Sequence, residues 1–538
     1  MAGQMKLQIR AAAVVLSLLA VPASFPGLVE AQAVSNSAKR LVEAVQQQDV
    51  GLVRALLADG RLVDAPQADG TTPLAWAVHR DDLVLANLLI AAGASVDIAN
   101  DLGITPLMLA GANGSAPMVA SLLQAGADPA LARSTGESAL MVAARTGNVG
   151  AVRMLVAYGA DPNAVTTAGE TALMWAAVEG HVRVVAMLAE VGADAHARTG
   201  VLIRPGRGRT ADRPAPRILS RFEAVNPAAL PRDGDRDPPR PEGGFTPLLY
   251  AVLAGDFDSV GVLLEAGANV SEAGPDGVTA VMLALIKRHK EIALLLLERG
   301  ADPQSSEAGY SALHLASATG SLAVAEALLA GGADPNLRLE RPQRLTNAFE
   351  IGVFQSPGSG RLTQIGSTPF MVAAKSADVQ MMRLLAGSGA DPLLTADDGT
   401  TALMLAAGLG KRAATDITYY SWTEEQAVAA LQIGLGFGID INAVNEHGET
   451  ALHAAAYHNA QQVIDFLVES GAEINAANAA DQTALRIAEG HLICCTTFVR
   501  HLEAADRLRK LGADPAVGTQ LTFGLTAFGD PSGQGETR

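Results

Sequence analysis

The chain has 538 residues, of which 49% are apolar, 18% charged and only 4% aromatic, and its formal net charge is −17. So much apolar content excludes disorder throughout, and an acidic chain lacks the basic footprint of a nucleic-acid binder. Two cysteines in such a length exclude a disulfide scaffold and a multi-cysteine zinc fold.

The first segment reads as an address. Lys6 and Arg10 precede a short apolar run, residues 11–21, and Ala31-Gln32-Ala33 has the small-x-small form of a cleavage site. Residues 1–33 are therefore expected to be a secretory signal peptide, with an uncleaved anchor as the alternative. No later apolar run reaches the roughly 18 residues that a spanning helix needs. The mature chain is expected to be exported, periplasmic or extracellular, without a membrane span.

From there the chain repeats itself. A Ser or Thr able to cap a helix recurs at Thr72, Thr105, Ser138 and Thr171, in steps of 33 residues, then at Thr246, Thr279, Ser311, Thr368, Thr401, Thr450 and Thr483. Pro73, Pro106, Pro247 and Pro369 follow their caps at the first helical position, where a missing N–H costs nothing. Twenty-one residues after most caps stands a glycine, as at Gly93, Gly126, Gly159 and Gly192, suited to the left-handed turn that closes a helix. Between these landmarks lie two short apolar segments, so each unit predicts helix, turn, helix and a loop such as Gly-Ala-Asp-Pro at 126–129. Neither helix can bury its apolar face alone; the next copy must bury it.

The period of 33, the Thr-Pro-Leu openings, Gly180-His181, Ala-Leu-His at 312–314 and 451–453 and the Gly-Ala-Asp-Pro endings resemble ankyrin repeats. The resemblance covers roughly residues 34–516 with twelve copies and implies an all-α solenoid, a helix–turn–helix plus a β-hairpin or loop (the finger) per copy, wound into a curved superhelix. Copy one, ending near Gly60, and copy twelve, with Arg500, Glu503, Arg507 and Lys510, have the polar character of end caps. Residues 517–538 are expected to form a flexible tail.

Four insertions break the period. The first, 199–242, carries nine Arg, including Arg204, Arg207 and Arg209, with eight Pro and no Lys. It reads either as an extended loop folding back on the acidic rod or as a basic arm that grips an acidic partner; a phosphate or nucleic-acid grip is weakly suggested, because no aromatics interleave. The second, 339–366, holds Phe349 and Phe354 and reads as a mobile loop or a docking segment. The third, 411–426, gathers Tyr419, Tyr420 and Trp422, either folded back as core or offered as an interaction hot spot. The fourth, 491–500, contains Cys494-Cys495, as buried thiols, a strained disulfide or a reactive pair.

Met108, Met141, Met174, Met282, Met371 and Met404 stand three residues after their caps, where the family often has His, and are expected to fill the core. The resemblance implies structural roles for His314 and His453. His447, His453 and His458 are too far apart to share an ion, and no catalytic motif, metal site or cofactor site is found, so the chain is expected not to be an enzyme.

The resemblance implies protein–protein interaction through the concave groove. Carried over position by position, its contacts include Asp69, Thr71, His79, Arg80, Arg145, Glu170, Glu179 and Tyr310. A single protein partner and a monomeric chain are expected. The alternatives are an accessory or regulatory module of an exported enzyme, or a binder of a small ligand or metal at the insertions.

Overall fold

The computed structural model describes residues 39–58, 63–204, 240–340, 343–344, 361–362, 365–409, 423–493 and 497–518. The leader at 1–33 and most of the tail therefore lie outside the described residues.

Each predicted cap becomes a helix start. Thr72 accepts from the Ala75 N–H at 3.1 Å, Thr105 from Met108 at 3.3 Å, and Thr171 from Met174 at 3.3 Å. The same bond recurs at Ser138, Thr246, Thr279, Ser311, Thr368, Thr401, Thr450 and Thr483. Each satisfies a donor that the first helical turn cannot satisfy itself, at about 1 kcal/mol per cap. The helices so begun are short: Pro73–His79 is the inner helix of copy two and Leu83–Ala91 its outer partner, and the pattern continues to Ala484–Glu489 and Leu502–Lys510.

Stacking closes the core. Inner helix packs on inner helix and outer on outer along the chain, including Ala172–Val178 on Pro247–Ala254 across the first insertion. All six methionines of the predicted stripe are buried, as are Ala77, Ala110, Ala143 and Ala176, each five residues after its cap. These alanines let backbones approach closely, and the leucines and valines around them each contribute roughly 1.5–3 kcal/mol by leaving water.

Two ladders join the copies along their loops. At the finger turns, the Asp101 N–H donates to the Asp69 carbonyl at 3.0 Å, Thr167 to Thr135 at 2.8 Å and Gly200 to Ala168 at 2.7 Å. In the following loops, side chains take over: Asp128 N–H donates to Asp97 Oδ1 at 3.0 Å and Asp194 N–H to Asn163 Oδ1 at 2.7 Å.

The insertions leave this framework intact because their bases are clamped. Thr199 and Phe245 exchange two bonds, the Thr199 N–H to the Phe245 carbonyl at 3.0 Å and the Phe245 N–H to the Thr199 hydroxyl at 2.9 Å. Beyond them β1 (Val201–Arg204) pairs antiparallel with β2 (Arg240–Gly243). The arm expected to be extended thus begins and ends as a ribbon, because two strands held at one base share backbone bonds. Shorter ribbons, β3 (Gln343–Arg344) with β4 (Arg361–Leu362) and β5 (His491–Ile493) with β6 (Thr497–Val499), open the second and fourth insertions. Cys494 and Cys495 lie outside the described residues. The third insertion shortens its inner helix to Ala402–Ala406 and lengthens its outer one to Glu424–Gly436.

On the opposite edge, histidines bind copy to copy. The His181 ring bonds the Arg145 carbonyl through Nε2 at 2.8 Å and lies against Gly147, where an added Cβ would stand 2.7 Å from its Nδ1. Gly147 also has φ +73°, so the position needs glycine twice over. His289 lies against Gly255, and His458 against Gly408, in the same way.

His314 is fully buried. Its Nδ1 faces the Ser311 hydroxyl at 2.9 Å and its Nε2 bonds the Ser367 carbonyl of the next copy at 3.1 Å. His453 repeats this with Thr450 and the Gln482 carbonyl. Burial pushes the His314 imidazole down to about 4, against the opposing pull of the carbonyls it bonds. The folded ring is therefore neutral where the unfolded one is protonated, so stability is complete above about pH 6.5 and falls as pH drops towards 4. The fall attributable to this site is on the order of 3 kcal/mol. Denaturation midpoints measured across that window should decline in the wild type and decline less steeply in His314→Gln. A second expectation follows from the clamped base: deleting 205–239 and joining Arg204 to Arg240 through Asn-Gly should change unfolding free energy by less than about 1 kcal/mol, as read by denaturant titration.

Candidate functional site

The concave face is lined by two positions of each copy: the residue before the cap, on the finger, and the residue four after it, on the inner helix. In copies two to five the inner-helix position holds Trp76, Leu109, Val142 and Trp175, all half-buried. In copies seven to ten the same position holds Leu283, Leu315, Val372 and Leu405, none more than 4% exposed. The finger position changes likewise, from half-buried Thr71, Ile104, Glu137 and Glu170 to buried Val278, Tyr310, Ser367 and Thr400. One half of the groove is open and the other is covered.

Several predicted contact residues converge on the open half. Asp69 is exposed, and its carboxylate accepts the Thr71 N–H at 3.0 Å; that bond holds its pKa below the usual carboxylate value. Trp76 donates its indole N–H to Gln67 Oε1 at 3.0 Å, and its ring meets His79 edge-on at 5.6 Å between centroids. His79 and Arg80 are exposed where the helix ends. Trp175 donates to Glu170 Oε2 at 3.3 Å, while the Arg145 guanidinium from the previous copy lies 5.1 Å from its ring centroid. Glu179 is exposed at the end of the same helix. Tyr250, next along the row, is half-buried; burial, then the nearby Glu170 charge, raises its phenol pKa.

Tyr310 does not belong with these residues. Expected on the contact surface, it is 3% exposed and part of the core, because in copies six to ten the residue before the cap is buried and an aromatic ring gains most when covered. Arg204 lies in β1, paired with Arg240, so it stands on the arm's ribbon. Arg207, Arg209, Tyr419, Tyr420 and Trp422 lie outside the described residues.

The apolar stripe itself is not among the contact positions that the resemblance supplies. Its signal was present: Trp76 and Trp175 each stand four residues after a cap, as do Leu109 and Val142, so all four share one helix face.

The chemistry available here is recognition. Among the described residues no group of three or more His, Cys, Asp or Glu is placed to hold a metal ion, and no helix is long and apolar enough to cross a membrane. Glu272, a buried carboxylate, is engaged by the Thr246 hydroxyl and lies 3.6 Å from His196 Nδ1, at the foot of the first arm.

A stack of helix pairs with projecting fingers and a concave face defines a repeat solenoid built for surface contact. A family profile described as ankyrin repeats matches residues 41–133, 122–199, 248–338 and 423–516, more than half of the chain. The chain belongs to the ankyrin-repeat family. It is 32% identical over 148 residues to an ankyrin repeat-containing protein of Treponema pallidum (strain Nichols), covering 27% of this chain and 42% of that protein. It is also 32% identical over 180 residues to the ankyrin repeat protein nuc-2 of Neurospora crassa, covering 31% of this chain and 17% of that protein. To the E3 ubiquitin-protein ligase KEG of Arabidopsis thaliana it is 26% identical over 245 residues, 44% of this chain and 13% of the ligase. The chain thus matches less than half the length of each.

The indole bond predicts a local effect. Glu170→Ala should release the Trp175 N–H and shift the tryptophan emission to longer wavelength, while circular dichroism of the helices stays unchanged.

Proposed function

We propose that this protein is an exported, non-catalytic scaffold that holds a protein partner in the open half of its groove, acting as a single chain. The observation that carries the reading is the half-buried row Trp76, Leu109, Val142 and Trp175, bordered by the charged residues Asp69, Glu170, Arg80 and Arg145 and by the polar His79. Apolar area ringed by charge is the composition of a surface that desolvates at its centre and selects at its rim. Export is supported by Lys6, Arg10, the apolar run that follows and the Ala31-Gln32-Ala33 site.

The first arm adds to this reading. Between β1 and β2 its sequence carries seven arginines, and Arg forks suit carboxylates of an acidic partner surface. Such a role requires only shape and charge complementarity, with no bonds made or broken.

Crosslinking the full chain in its native envelope fraction should trap the partner, and Arg80→Glu combined with Glu179→Lys should lower its recovery at least tenfold without changing the melting temperature. Equal recovery would remove the groove from the reading. Expressing the chain without residues 1–33 should leave it inside the cell; export of that truncated chain would refute the leader.

A further inference from the structure

We infer that the occupant of the open groove is an amphipathic α-helix with a basic flank, lying along the superhelix across copies two to five. The inference rests on the reading of this groove as a protein-binding face and adds the secondary structure and charge of what binds.

Spacing comes first. Stacked helices stand about 8–10 Å apart, so Trp76, Leu109, Val142 and Trp175 form apolar steps at about that interval. Seven residues of an α-helix rise about 10.5 Å, so a heptad-spaced apolar stripe meets one step per heptad. Same-face residues of a β-strand recur about every 6.7 Å and fall out of step. A polyproline helix repeats about every 9.3 Å and would fit by distance alone.

Hydrogen bonding separates the two that fit. An extended or polyproline segment brings bare backbone carbonyls and needs donors from the groove. The indole N–H groups that would serve are already used, Trp76 on Gln67 and Trp175 on Glu170. The inner-helix backbones are bonded internally as well. An α-helix carries its own backbone bonds and asks the groove only for apolar area, which these pinned rings provide.

Charge sets the flanks. Each finger of the open half carries one acid: Asp69, Asp101, Glu137 and Glu170 in copies two to five. Arg133 pairs with Glu137 and offsets one of them. Across the stripe, the inner helices end in His79, Arg80 and Arg145, with Glu179 in opposition in copy five. A helix with Lys or Arg towards the fingers and Asp or Glu towards the helix ends complements both rims.

The test uses two displayed libraries against the immobilised full chain. One presents helices of about 24 residues, long enough at about 1.5 Å per residue to span three steps, with leucine at heptad positions a and d and Ala, Gln, Glu or Lys elsewhere. The other presents proline-rich extended segments of the same length. The helices should enrich, with Lys concentrated on one flank. Their retention should fall at least tenfold on Asp69→Lys/Asp101→Lys, which leaves the stripe untouched, and on Trp76→Ala/Trp175→Ala. Enrichment of only the proline-rich library, with loss on the same variants, overturns the helix and leaves the groove reading standing. Binders indifferent to both variants overturn the helix and the groove together. Failure of the helix library to enrich at all also overturns the inference.

Discussion

Each pair of helices is too small to cover its own apolar face, and everything else in this molecule depends on the next pair doing so. Seven-residue inner helices such as Ala139–Arg145 and Ala172–Val178 are far below the length at which a helix holds in water unaided. They persist because Ala143 and Ala176 bring neighbouring backbones close and Met141 and Met174 fill what remains. Hydroxyl caps begin each helix, glycine turns end the outer ones, and the finger and loop ladders hold the interval constant. Stability is then a sum over junctions, so the chain tolerates additions wherever they leave a junction whole.

That tolerance explains where the insertions sit. The clamp between Thr199 and Phe245 closes the finger before β1 begins, so copies five and six stack as if the arm were absent. The groove, in contrast, is not uniform along its length. Positions equivalent by count are half-open at Trp76 and Trp175 and closed at Leu315 and Leu405. A family that offers one long concave face offers, in this member, about half of one.

What could be read beforehand was whatever is decided locally. The caps at Thr72 to Thr483 are legible because a hydroxyl needs only the N–H three residues on, and the methionines because their position repeats. His314 was legible through the family's motif. Tyr310 was not, since the residue before the cap is half-buried in copies two to five and buried at its own copy, a difference that the repeat count does not carry. The stripe stands in plain register with the caps, four residues after each, but outside the contact positions that the resemblance supplies. Arg207, Tyr419 and Trp422 lie outside the described residues.

The contact of His181 with Gly147, and of His289 with Gly255, has a consequence for how such a chain can change. The imidazole of one copy occupies the space that its predecessor leaves by lacking a side chain. A copy carrying that histidine cannot follow one with alanine at the turn, and its removal strands a bare notch. Moving any one of copies four to seven parts one such couple, and a cut anywhere between Gly147 and His181 separates its two partners. Copies so coupled are not interchangeable units: each is inherited safely only beside the neighbour it fits.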